Sequence, residues 1–160
     1  MAEAFKVTVE RNRLRFAAAH MATFDGGCEP LHGHNYEVIV EAEGLLTENA
    51  WVWDFSDLKQ MTAAIIEDLD HRFLLQLESN VLDAVERNGT WRIKAGTRSY
   101  VLPSADVMPL PIDNTTAERL AGWVGQRLWH ALRTKGASNI RRLTVGIEEM
   151  PGQTGWYTVE

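Results

Sequence analysis

Cys28-Glu29-Pro30-Leu31-His32-Gly33-His34-Asn35-Tyr36-Glu37-Val38-Ile39-Val40 is the stretch from which the rest of the chain can be read. From His34 onward, Tyr36, Val38 and Val40 oppose Glu37, Ile39 and Glu41, the two-residue period of a strand. His32 and His34, one residue apart, therefore point to the same side and can reach one ion. Upstream, Phe5, Val7 and Val9 alternate with Lys6, Thr8 and Glu10, and Leu14 and Phe16 with Arg13 and Arg15. This predicts a long strand, or two strands around a turn at Glu10-Arg11-Asn12, ending at His20. A direct return through the loop 21–30 pairs the two strands antiparallel and brings His20 to His32 and His34. Three neutral imidazoles suit Zn²⁺ at about 2.0–2.1 Å and leave a coordination position open to water or substrate.

The rest of the composition sets the context. The chain has 160 residues, 45% of them hydrophobic and 24% charged, which fits one soluble globular domain. A net charge of -6 argues against a general nucleic-acid or anionic-membrane binder, which would show a basic face. The start, Met1-Ala2-Glu3-Ala4-Phe5-Lys6, lacks a basic region followed by an apolar core, and no apolar run approaches a membrane span, so a cytoplasmic protein is expected. The single cysteine, Cys28, cannot form an intrachain disulfide, and its neighbours Asp25-Gly26-Gly27 and Glu29-Pro30 predict an accessible loop thiol. Of five histidines, only His130, inside a helical stretch, reads as an ordinary helix residue.

Further along, Trp51-Val52-Trp53-Asp54 predicts a short strand delivering the chain to a helix that Asp54 or Ser56 can cap. Phe55, Leu58, Met61 or Thr62, Ile65 and Leu69 form its apolar stripe. A second helix is predicted from Thr115, where Thr115 and Glu118 have capping-box spacing, to Gly136. Leu143, Val145 and Ile147 alternate as a strand, and Trp156-Tyr157-Thr158-Val159 follows after Pro151-Gly152. Trp91–Lys94 and Arg98–Val101 around Ala95-Gly96-Thr97 predict a β-ribbon, and 103–111 a connector or lid. The order predicts an α+β domain spanning 1–160, an antiparallel sheet with two helices on one face and a ribbon or lid insertion at about 79–113.

Several blocks together resemble one family. Phe16-Ala17-Ala18-Ala19-His20, Cys28 through Tyr36, Asp54-Phe55-Ser56-Asp57-Leu58, Leu69-Asp70-His71-Arg72-Phe73-Leu74, Thr115-Thr116-Ala117-Glu118 and Val145-Gly146-Ile147-Glu148-Glu149 are similar to motifs of the 6-pyruvoyltetrahydropterin synthase and 6-carboxytetrahydropterin synthase family, in family order. The resemblance implies a tunnelling fold (T-fold) whose subunits join into an oligomeric barrel, usually a homohexamer made of two trimers, with sites at subunit interfaces. It implies Zn²⁺ on His20, His32 and His34 and 7,8-dihydroneopterin triphosphate as substrate. Under it, Cys28 is the general base, its pKa lowered by the nearby cation, and Asp70 and His71 form a proton relay. Glu149 anchors the pterin, since Val145, Ile147 and Glu149 share a strand face, and Thr115 and Thr116 add hydroxyl contacts.

The placement of Cys28 four residues before His32 resembles the 6-carboxytetrahydropterin synthases of the queuosine pathway. Glu29 resembles a subgroup in which a glutamate is associated with cleavage to 6-hydroxymethyl-7,8-dihydropterin for folate synthesis, so it is a possible alternative base. The pyruvoyl-forming activity is a further alternative. A pterin-binding tunnelling-fold protein without turnover is the non-enzyme one. Arg92, Lys94 and Arg98 are candidates to meet the triphosphate.

Overall fold

The two strands that carry the histidines form the centre of the structure, a computed structural model that describes residues 3–160. β1 (Phe5–His20) pairs antiparallel with β4 (His32–Gly44), placing His20 opposite His32 and Ala18 opposite His34. Glu10-Arg11-Asn12 does not end β1. Arg11 and Asn12 adopt positive φ, and the register shifts between Glu10 and Arg15, so one strand continues through a bulge. Between β1 and β4 lies a tiny hairpin, β2 (Thr23–Phe24) and β3 (Gly27–Cys28).

The chain continues through α1 (Phe55–Ile66), β5 (Arg72–Gln76), β6 (Leu82–Arg87), β7 (Thr90–Ala95), β8 (Arg98–Pro103), β9 (Val107–Leu110), α2 (Ala117–Thr134), β10 (Ile140–Met150) and β11 (Gln153–Val159). Six strands form one sheet in the order β11-β10-β4-β1-β5-β9, while β6, β7 and β8 form a separate three-stranded sheet. The main sheet is antiparallel except where β5 runs parallel to β1 and β9 parallel to β5. The segment 103–111 is therefore not a free connector. It contributes β9, an edge strand where Pro109 costs no ladder bond on its open side.

Alternation decides the buried face. Leu14, Phe16, Tyr36, Val38, Val40, Leu143, Val145 and Ile147 are buried against both helices in one cluster. Asp54 caps α1 by accepting from the Asp57 amide, but the stripe is rotated from the expected one: Leu58, Thr62 and Ile66 are buried, while Phe55 is 52% exposed. Trp51–Asp54 is a bend rather than a strand, with Val52 inserted into the core. In α2 the cap is Thr116, whose hydroxyl accepts from the Arg119 amide, not Thr115. Leu120, Val124, Leu128 and Leu132 of α2 face the sheet. A second, smaller cluster joins Met21, Phe73, Leu75 and Val107 to Ile93 of the three-stranded sheet.

Candidate active site and metal centre

His20, His32 and His34 converge at the end of the helix-side face, with one ligand atom from each within 4.8 Å of the others. Second contacts aim the rings. His20 Nδ1 meets the Thr115 carbonyl at 2.9 Å and His32 Nδ1 the Pro30 carbonyl at 2.7 Å. A carbonyl only accepts, so both Nδ1 atoms carry their protons and both Nε2 lone pairs are free. His20 Nε2 and His32 Nε2 lie 3.2 Å apart, and the buried His34 Nε2 has no hydrogen-bond partner among the described residues. Burial is the main cause that holds the His20 pKa below its ordinary value, which favours the neutral ring that a metal requires. These residues fit a three-nitrogen zinc site.

Two carboxylates border the imidazoles. Glu149 Oε1 is 3.4 Å from His20 Nε2 and 3.7 Å from His34 Nε2, and the Tyr36 hydroxyl donates to it at 3.4 Å. Tyr36 is wholly buried and stacked on Phe16, so burial first, and the Glu149 charge next, push its pKa far up and keep the phenol protonated. Glu29 Oε2 is 3.7 Å from His32 Nε2. Cys28 is half-buried and lies in the short strand β3 rather than in the loop expected. It packs against the smaller cluster, and its sulfur is 3.8 Å from the Met21 carbonyl. Burial pushes the thiol pKa up and Arg98 opposes that rise.

Asp70 and His71 do form a pair, with 2.9 Å between Asp70 Oδ2 and His71 Nδ1. Asp70 Oδ1 also accepts the Ala17 amide, the main cause that holds its carboxyl below the usual range. His71 is 82% exposed and borders a groove lined by Ala17, Ala18, Ala19, Gly33 and Asn35 together with His34 of the imidazole cluster. His71 is not among the three histidines whose ligand atoms converge.

The sequence matches the family described as 6-pyruvoyl tetrahydropterin synthase over residues 8–160. The chain belongs to that family. A relative from Methanocaldococcus jannaschii, provisionally named a 6-carboxy-5,6,7,8-tetrahydropterin synthase, is 34% identical over 145 residues, covering 90% of this chain and 89% of the relative. The 6-carboxy-5,6,7,8-tetrahydropterin synthase of Haemophilus influenzae is 32% identical over 136 residues, covering 79% and 83%. Among solved structures, a Plasmodium vivax 6-pyruvoyltetrahydropterin synthase in which a catalytic glutamate is replaced by alanine superposes with a TM-score of 0.92 at 27% identity, covering 99% of both chains. The tunnelling fold follows from that agreement.

Against the family's motifs, the remaining candidates divide. Thr115 is fully buried, and its hydroxyl has no partner among the described residues, while its carbonyl steers His20. Thr116 spends its hydroxyl on the helix cap. Arg92 and Lys94 face outward on the three-stranded sheet beside Asp83, Val85 and Arg87, away from the histidines. Arg98 turns inward and donates to the Cys28 carbonyl at 2.5 Å. Sequence reasoning missed the Pro30 and Thr115 carbonyls and Tyr36. Only Tyr36 left a trace, as a phenol in phase with the histidines on β4. No helix among the described residues is long and apolar enough to cross a membrane.

Proposed function

We propose that the chain is a zinc-dependent 6-carboxytetrahydropterin synthase acting on 7,8-dihydroneopterin triphosphate, a carbon-oxygen and carbon-carbon lyase of the queuosine route. The observation that carries this is the convergence of three Nε2 atoms, two of them fixed by backbone carbonyls, between the carboxylates of Glu29 and Glu149. Bound there by His20, His32 and His34, zinc supplies Lewis-acid polarisation of the substrate's side-chain oxygens. Glu149 accepts hydrogen bonds from the pterin held beside it, and the Tyr36 hydroxyl keeps that carboxylate aimed. Thr115 offers its buried hydroxyl to the ring, whereas Thr116 contributes through the helix it starts. Cys28 or Glu29 takes the proton from the substrate side chain. Asp70 orients His71, which moves protons in a site shared with a neighbouring copy. A homohexamer of two trimers in the cytoplasm is the assembly in which such sharing would occur.

One observation favours a second reading. Glu29 reaches the imidazoles while the Cys28 thiol is turned into apolar packing. The carboxylate is then the base, and the product is 6-hydroxymethyl-7,8-dihydropterin. The catalytic glutamate of the P. vivax relative supports it. Cys28→Ala and Glu29→Gln, each zinc-loaded and supplied with 7,8-dihydroneopterin triphosphate, separate the readings by mass spectrometry of the products. The first predicts loss of the 6-carboxy product in Cys28→Ala at unchanged zinc content. Full activity of Cys28→Ala together with an inactive Glu29→Gln establishes the second. Pterin binding without turnover in the parent chain refutes both and leaves a binding protein.

A further inference from the structure

Cys28 and Glu29 are adjacent in an extended segment, so their side chains leave the backbone on opposite sides. Which of them meets the imidazoles depends on the path of the backbone around the one peptide unit between them. That unit is held at both ends. Its N–H, from Glu29, donates to the Ala22 carbonyl at 2.9 Å, and its carbonyl, from Cys28, accepts from Arg98 Nη2. The Ala22 contact is local to the hairpin of β2 and β3. The Arg98 contact comes from 70 residues away.

The three-stranded sheet delivers that guanidinium. Asn88 and Gly89, both at positive φ, make the turn from β6 to β7, and Gly96 makes the next one, placing Arg98 at the first position of β8. Ile93 and Ala95 are buried, and Leu82, Ala84, Trp91, Tyr100 and Leu102 pack on the smaller cluster that includes Cys28. Arg98 shares this inward face with Tyr100 and Leu102, in contrast to Arg92 and Lys94 on the outer one.

Resting on the second reading above, in which Glu29 is the base, we infer that Arg98 is a positioning residue: through the Cys28 carbonyl it fixes which of the two candidate bases, thiol or carboxylate, faces the three histidines. With the clamp in place, the carboxylate stands toward His32 and the thiol toward Met21. Releasing it lets the backbone segment shift and exposes the thiol. The three-stranded sheet thereby becomes a determinant of the chemistry although its outer basic face is remote from the histidines.

The test uses Arg98→Met, which keeps the apolar stem and removes the donors, and Arg98→Lys, which restores one, both as zinc-loaded full chains. Cys28 is the only cysteine, so its alkylation by iodoacetamide is read without interference. Compared at a pH above the thiol pKa of every variant, where losing the Arg98 charge no longer changes the thiolate fraction, Arg98→Met is expected to be alkylated about tenfold faster, the factor that an ordinary hydrogen bond corresponds to. Its kcat should fall by roughly ten- to a hundredfold with KM within about twofold of the parent, the pattern of a misplaced base rather than of lost binding. Arg98→Lys should move both readings back toward the parent. Parental alkylation and kcat in Arg98→Met overturn the proposal, and so does a faster alkylation that Arg98→Lys does not reverse. A parent chain that fails to turn over the pterin refutes the function reading instead, while the alkylation rates still decide the role of Arg98.

Discussion

Gly33, between the two histidines of β4, offers a substitution whose effect can be worked from the structure. A Cβ built there would lie 2.8 Å from the Ala18 carbonyl oxygen and 3.5 Å from Ala19 Cα, on the strand that carries His20. Both obstacles are backbone, so no side chain can swing aside. An ordinary contact needs roughly half an ångström more, which β4 can gain only by moving off β1. That movement separates His32 and His34 from His20, whereas metal-nitrogen distances tolerate only about 0.2 Å. Gly33→Ala should therefore cost about 1–3 kcal/mol of stability and weaken zinc binding roughly ten- to a hundredfold. Thermal melting and chelator competition with zinc measure the two effects. Gly122→Ala is the control: its Cβ meets Tyr157 Cδ2 at an ordinary 3.5 Å inside α2, and replacing a mid-helix glycine should gain about 0.5–1 kcal/mol. A Gly33→Ala chain that melts with the parent and binds zinc within about twofold of it would refute the reasoning.

Two further outcomes test the packing and the surface charges. Leu128, fully buried where α2 meets the sheet, should cost about 2–5 kcal/mol on replacement by alanine, read by denaturant unfolding; a cost below about 1 kcal/mol would mean that α2 is not seated as described. The Asp57 carboxyl is held below its usual range, first by the hydrogen bond from Lys135 and further by that from Trp53 Nε1 at 2.8 Å. A depressed folded pKa stabilises above the unfolded value and is lost as pH falls, so the advantage of the parent over Asp57→Asn should be under about 1 kcal/mol at neutral pH and shrink below about pH 4. An advantage that grows on acidification would contradict that sign.

The fold was legible where one face of a strand is uniformly apolar. Tyr36, Val38 and Val40 share a phase with His32 and His34, so the pattern that marks the core also places the imidazoles at its rim. The capping aspartate of α1 and the stop of α2 at Gly136 were legible for the same local reasons. The parallel pairing of β5 with β1 and β9 was not. Phe73, Leu74 and Leu75 are buried in succession without alternation, and β9 is four residues long with a proline in it. Choosing Thr116 over Thr115 as the cap depends on backbone angles rather than residue type, since both carry the same hydroxyl. The Arg98 contact is with a backbone carbonyl and leaves no complementary side chain to find. The faces of Cys28 and Glu29 were implicit in strand alternation, but the apparent loop around them hid the two-residue strand of Gly27 and Cys28.

The most direct measurement is to incubate the zinc-loaded chain with 7,8-dihydroneopterin triphosphate, beside His32→Ala treated identically, and to identify the pterin products by mass spectrometry. The account predicts a 6-carboxy product with acetaldehyde from the parent, and neither product nor retained zinc from His32→Ala. An unchanged pterin in the parent reaction, or stoichiometric zinc and full turnover in His32→Ala, would contradict it.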